Sequence, residues 1–187
     1  MAPTPKYTKE EITQIAFNLV REKGYYMLTA RDLAKRLNTS TRPIFTAFEN
    51  MDELKKEIIL ITNNLFEEYK KAEIESNKYP VYKASGMAYI RFAKEEKNLF
   101  KLLFMRDRTS ETGIDDVSMS NEVSFITNNL KLSPDDATNF HIKMWIMMHG
   151  FATILATGYL DLDLDTISKM TTEVFNALKD GAKNWII

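Results

Sequence analysis

The chain has 187 residues, enough to bury a substantial core, with 27% charged residues and a net charge of −1. The absence of Cys excludes disulfides, thiolate zinc sites and thiol catalysis. No run of about 18 apolar residues suggests a membrane span, and Met1–Tyr7 shows no charged-then-apolar signal region, so a cytoplasmic address without a membrane partner is expected.

The first predicted element covers residues 8–23, where Ile12, Ile15, Ala16, Leu19 and Val20 repeat at the spacing of one helix face. Thr8 and Glu11 form its capping box, and Gly24 stands where a left-handed C-terminal residue is expected. Thr29 then caps a short helix with Asp32 three positions on, turning Leu33, Ala34 and Leu37 inward and leaving Arg31, Lys35 and Arg36 towards solvent. Asn38 and Thr39 end it. Ser40 or Thr41 caps the next helix, with Pro43 in its first turn, where a missing N–H removes no bond. Ile44, Phe48 and Met51 face the core with Phe45 a further candidate, and Thr41, Arg42, Thr46 and Ala47 remain outside. Two short helices joined by a tight polar turn form a helix-turn-helix, whose second helix is shaped for a DNA major groove. Residues 1–50 hold 8 basic against 5 acidic side chains, and residues 51–187 hold 17 against 21, so a basic head precedes an acidic body.

The rest reads as helical. Asn50 caps a helix with Glu53 at its third position, and Leu54, Ile58, Ile61 and Leu65 carry one stripe towards Tyr69. Asn77–Pro80 breaks the pattern; Tyr82–Ala93 and Leu99–Met105 follow as two helices around a charged corner at Lys94–Lys97. Arg106–Asp116 reads as a loop and Val117–Leu130 as a helix, after which Ser133 and Pro134 open another. From Met144 to Leu160 no residue is charged, and Trp145, Ile146, Met147, Met148, Phe151, Ile154 and Leu155 cannot share one stripe, so burial on several sides is expected. Gly150, Thr153 and Thr157 gather small side chains on one side. Asp161, Asp163 and Asp165 lack the Gly and terminal Glu of a calcium loop and read as caps for a last helix carrying Ile167, Met170, Val174, Phe175, Leu178 and Trp185.

Gly24-Tyr25, Thr29–Ala34, Ile44-Phe45, Phe48, Asn50 and Leu54, in this order, resemble the N-terminal domain of the tetracycline-repressor (TetR) family over about residues 8–58. Trp145-Ile146-Met147-Met148-His149-Gly150 resembles a Trp-x-x-x-His-Gly signature from one branch of its C-terminal domains. Phe45 stands where the family usually has Tyr, Ala47 replaces a common His, and Met51 replaces a common Lys. The resemblance implies an all-α protein, with a three-helix DNA-binding head over residues 1–50 and a larger helical-bundle body over residues 51–187 for ligand binding and dimerisation. Its implied partners are double-stranded operator DNA, a small-molecule effector and a second copy of the chain. The last two long helices would form the dimer interface, although a monomer could also bury them within its own bundle. The implied function is a sequence-specific transcriptional regulator, a repressor released from its operator by a small apolar or amphipathic ligand.

On that footing the DNA-facing residues are Arg31, Thr41, Arg42 and Thr46 for bases and Ser40, Lys55 and Lys56 for phosphates. Phe45 joins them on the same helix, able only to pack. The expected ligand site comprises Trp145, Met148 and His149 with Phe92, Phe100, Leu103 and Phe104, an apolar and deformable set with one polar group. Trp145 and His149, one turn apart, could line a pocket, although a lone His on an apolar helix is more often a hydrogen-bonded core or interface residue. No cofactor or metal is expected, because His141 and His149 are eight residues apart and no ligand spacing, phosphate loop or nucleophile elbow is present. An enzyme is therefore disfavoured. The alternative function is a helical protein-interaction module in which DNA binding is secondary.

Overall fold

The computed structural model describes residues 7–107 and 117–182, with the side chains of 117–120 and 182 not described. Among these residues there are nine α-helices, one short 3-10 turn and no strand, the all-α fold the periodicity implies. The helices are α1 (Lys9–Lys23), α2 (Ala30–Arg36), α3 (Arg42–Ala47), α4 (Met51–Glu75), α5 (Val81–Glu95), α6 (Lys97–Phe104), α7 (Val117–Leu130), α8 (Pro134–Thr157) and α9 (Leu164–Ala182). Most of the expected loop at Arg106–Asp116, and Trp185, lie outside the described residues.

The chain forms two compact units. The first runs to Glu68 and includes Glu96–Arg106; the second comprises Tyr69–Glu95 and the chain from Asp107 onwards. In the first, α1 packs against α2, α3 and α6, and Ile12, Ala16, Val20, Leu33, Leu37, Ile44, Phe48, Leu54 and Ile58 are buried. The Thr8–Glu11 capping box is complete. Gly24 ends α1 at φ 90°, ψ 161°, which is not the left-handed helical conformation expected of it but an extended positive-φ one that glycine alone adopts readily. Its N–H still donates to the Val20 carbonyl. Thr29 caps α2 by accepting from the Asp32 N–H, but the Asp32 carboxylate bonds the Thr29 hydroxyl at 2.6 Å.

Two core assignments need correction. Phe45 is 50% exposed, because the six residues of α3 turn Ile44 inward and place its neighbour outside. The inner stripe of α4 runs through Leu54, Ile58 and Thr62, all fully buried. Thr62 is tolerated there because its hydroxyl donates to the Ile58 carbonyl at 2.7 Å.

In the second unit α5 and α9 pack against α8, and α7 covers another part of it. Ile126, Ala137, Phe140 and Met144 form a core with Tyr82, Val174, Phe175 and Leu178 around it. A Cβ on Gly86 would lie 3.1 Å from the Met148 Cε, so glycine lets α5 approach α8 closely. Burial of α8 is less complete than its composition suggests: Trp145 and Ile146 remain 48% and 58% exposed. Ser133 caps α8 through the Asp136 N–H. Of the three aspartates around the start of α9, Asp163 alone caps it, bonding the Thr166 N–H and hydroxyl; Asp161 pairs with Lys94, and Asp165, in the first turn of α9, with Lys78.

Candidate nucleic-acid interface

The turn between α2 and α3 is closed by backbone bonds: Asn38, at φ 49°, donates to the Lys35 carbonyl and Thr39 to that of Ala34. Ser40 Oγ accepts the Arg42 N–H at 3.4 Å, whereas Thr41 makes no side-chain cap. Ser40, not Thr41, therefore supplies the polar start of α3. Beyond it Arg42, Phe45 and Thr46 are exposed, three residues whose spacing places them on one ridge of a helix. Thr41 is half-buried at its start. Arg31 is exposed on α2, and neither Arg31 nor Arg42 has an ion-pair partner among the described residues. Exposed guanidinium groups without an acidic partner suit phosphates or guanine edges.

The remaining candidates differ in availability. The Thr46 hydroxyl donates to the Arg42 carbonyl at 2.9 Å, leaving its methyl group and the acceptor lone pairs of its oxygen for an outside partner. Lys55 bonds Asp52 at 3.0 Å and lies over the Tyr25 ring; the Asp52 hydrogen bond raises its pKa. Lys56 is exposed on the next position of α4. Arg36 pairs with Glu22 at 2.6 Å. Ala47 is half-buried and reaches outward less than Arg42 or Thr46.

The residues expected around a ligand are divided between the units. Phe100 and Leu103 are buried in the first, where Phe104 packs edge-on against Phe66 and tilted against Phe100. Phe92, Trp145, Met148 and His149 belong to the second. There the Trp145 and His149 rings stack with centroids 5.2 Å apart and planes 16° apart. His149 Nδ1 is hydrogen-bonded to Tyr89 Oη at 2.8 Å, and His141 Nδ1 to Tyr82 Oη at 3.0 Å. Burial lowers the pKa of both histidines from the ordinary 6.5, so both imidazoles are neutral at pH 7. Phe92 is buried edge-on against Tyr69, and Met148 sulfur accepts the Thr171 hydroxyl at 3.4 Å. One turn beyond His149, Thr153 Oγ1 is buried with no hydrogen-bond partner among the described residues. The two Tyr–His pairs were not legible in the sequence; their only trace is that Tyr82 and Tyr89, seven residues apart, repeat on one face of α5.

Within the described residues no helix is long and apolar enough to cross a membrane, and no group of three His, Asp or Glu is arranged to hold a metal. Comparison with known proteins matches residues 12–58 to "Bacterial regulatory proteins, tetR family" and residues 82–175 to "Tetracyclin repressor-like, C-terminal domain". A crystal structure described as a TetR-like transcriptional regulator from Rhodococcus sp. RHA1 is similar in fold, with a TM-score of 0.68 at 13% identity over 98% of this chain and 100% of that one. No curated protein matches the chain in sequence.

Proposed function

Because this chain belongs to the TetR family of bacterial transcriptional regulators, we propose that it is a homodimeric repressor that binds operator DNA and is released by an apolar or amphipathic small molecule. The observation that carries the DNA-binding part is the exposed ridge of Arg42, Phe45 and Thr46 on α3, with Arg31 exposed on α2 and neither Arg31 nor Arg42 in an ion pair among the described residues. Residues 1–50 form the DNA-binding head and residues 51–187 the body. Arg42 and Arg31 read guanine edges, Thr41 makes a short base contact, and Thr46 offers its methyl group to thymine. Ser40, Lys55 and Lys56 hold phosphates, and Phe45 packs against the sugar-phosphate edge. The chain acts in the cytoplasm, without catalysis.

Dimerisation follows from α8. Trp145 and Ile146 are large, apolar and exposed in the single chain, and Gly150 has open space around it, so a second copy can approach closely. The ligand site is supported by the stacked Trp145–His149 pair and the unpartnered Thr153 hydroxyl. Phe92 and Met148, buried in the same unit, add apolar side chains to it. We assign the body to the branch with the Trp-x-x-x-His-Gly pattern, a reading supported by Trp145, His149 and Gly150 alone. Binding of the purified protein to duplexes from upstream of its own gene, in competition with unrelated duplex, tests the reading. A preferred sequence supports it; equal affinity for all duplexes together with capture of a protein partner favours the interaction-module alternative.

A further inference from the structure

The recognition helix α3 has six residues, too short to hold its own geometry, since isolated helices under about 12 residues are marginal in water. Its orientation depends on what fixes the chain before and after it. On the near side, the Tyr7 hydroxyl donates to the Leu37 carbonyl at 2.6 Å, at the C-cap of α2 where carbonyls lack helical partners. On the far side, Lys9 Nζ bonds Glu53 Oε1 at 2.6 Å and lies 5.0 Å from the Phe48 ring centroid, Phe48 being the C-cap of α3. The second carboxylate oxygen of Glu53 accepts the Glu49 N–H at 2.7 Å. One carboxylate thus joins the start of α1 to the corner between α3 and α4.

We infer that Tyr7 and Lys9 are positioning residues for DNA recognition, bracing α3 at its two ends through Leu37 and Glu53. The inference rests on the proposed DNA-binding role of α3. A reading helix must hold its side chains within about 0.5 Å of productive geometry, which requires support from residues that do not themselves touch DNA. The Lys9–Glu53 hydrogen bond raises the Lys9 pKa and lowers that of Glu53, so both stay charged across the neutral range.

The test compares wild type with Tyr7→Phe, Lys9→Met and Lys9→Arg. Affinity is measured for the preferred upstream duplex and for a scrambled one over a salt series, with amide exchange at Asn38, Thr39 and Glu49. Bracing predicts that Tyr7→Phe and Lys9→Met each weaken the preferred duplex about three- to tenfold, leave scrambled-duplex affinity and salt slope unchanged, and speed exchange beside the lost bond. Lys9→Arg restores wild-type behaviour. If Lys9→Met weakens both duplexes alike and lowers the salt slope by about one, Lys9 is a phosphate contact and the inference fails. It fails equally if the preferred duplex is bound unchanged. Should wild type show no preferred duplex, the DNA-binding reading falls instead, and unchanged exchange at the three amides then overturns the bracing by itself.

Discussion

Arg42 carries the heaviest demand on any single side chain, because it is exposed at the start of α3 and has no acidic partner among the described residues. Replacing it by Ala should weaken the preferred duplex by about 1–3 kcal/mol and relax discrimination at one base position. Quantitative binding to duplexes varied at each position checks this, and an unchanged sequence preference removes Arg42 from base reading. Thr46→Val should be nearly neutral, since the Thr46 hydroxyl is already given to the Arg42 carbonyl and valine keeps a methyl group for thymine. A loss beyond about tenfold, the effect of a lost base contact, would show that the hydroxyl reaches DNA. At this scale the sequence was informative where chemistry is local. Thr8, Thr29, Asn50 and Ser133 all cap as their spacing indicates, because a cap needs only residues within one turn. The partners of the Glu53 carboxylate were not legible for the opposite reason: it accepts from the Glu49 N–H and from Lys9, and Lys9 lies 44 residues away.

Among the elements, α8 shows where periodicity stops being sufficient. Its uncharged sequence foretold extensive burial, yet one chain covers only the face through Ala137, Phe140, Met144, Met148, Ala152 and Leu155. On the opposite face Trp145 and Ile146 stay exposed, and in the proposed dimer a second copy covers them. Ile146→Glu is the sharpest probe of that partner, because Ile146 is exposed in the single chain and the substitution spares its fold, whereas Thr153 already has a buried hydroxyl. Sedimentation should show monomer where wild type sediments as dimer, since an unpaired charge in a closed interface is costly; an intact Ile146→Glu dimer would place the interface elsewhere. The α5–α8 contact makes a second prediction. His141 and His149 have folded pKa values below 6.5, so the unfolded chain binds their protons first as pH falls. Their contribution is complete above pH 6.5 and is lost as pH drops through that value towards the lower folded pKa values. The thermal midpoint should therefore fall between pH 7 and 5, and less so with both histidines replaced by Gln. An equal fall in that double variant would assign the effect to other groups. Neither these pairs nor the close approach at Gly86 could be read beforehand, because each depends on which helices meet.

For the whole molecule, α4 belongs to both compact units, the division falling after Glu68 within one continuous helix. In the proposed function, a ligand that favours one state of the body would act on the head through this continuous helix. Linkage makes the effect reciprocal: a ligand that weakens operator binding about 100-fold must itself bind about 100-fold more weakly to the operator complex. The most direct measurement of the central claim is a footprint of the purified protein on its preferred duplex, with the mass of the complex determined on the same sample. The account predicts two protected half-sites related by a two-fold axis, centred one helical turn or a multiple of it apart, and at least two protomers per complex. Saturating complexes with a single protected half-site and one protomer, or uniform protection without sequence preference, would contradict it.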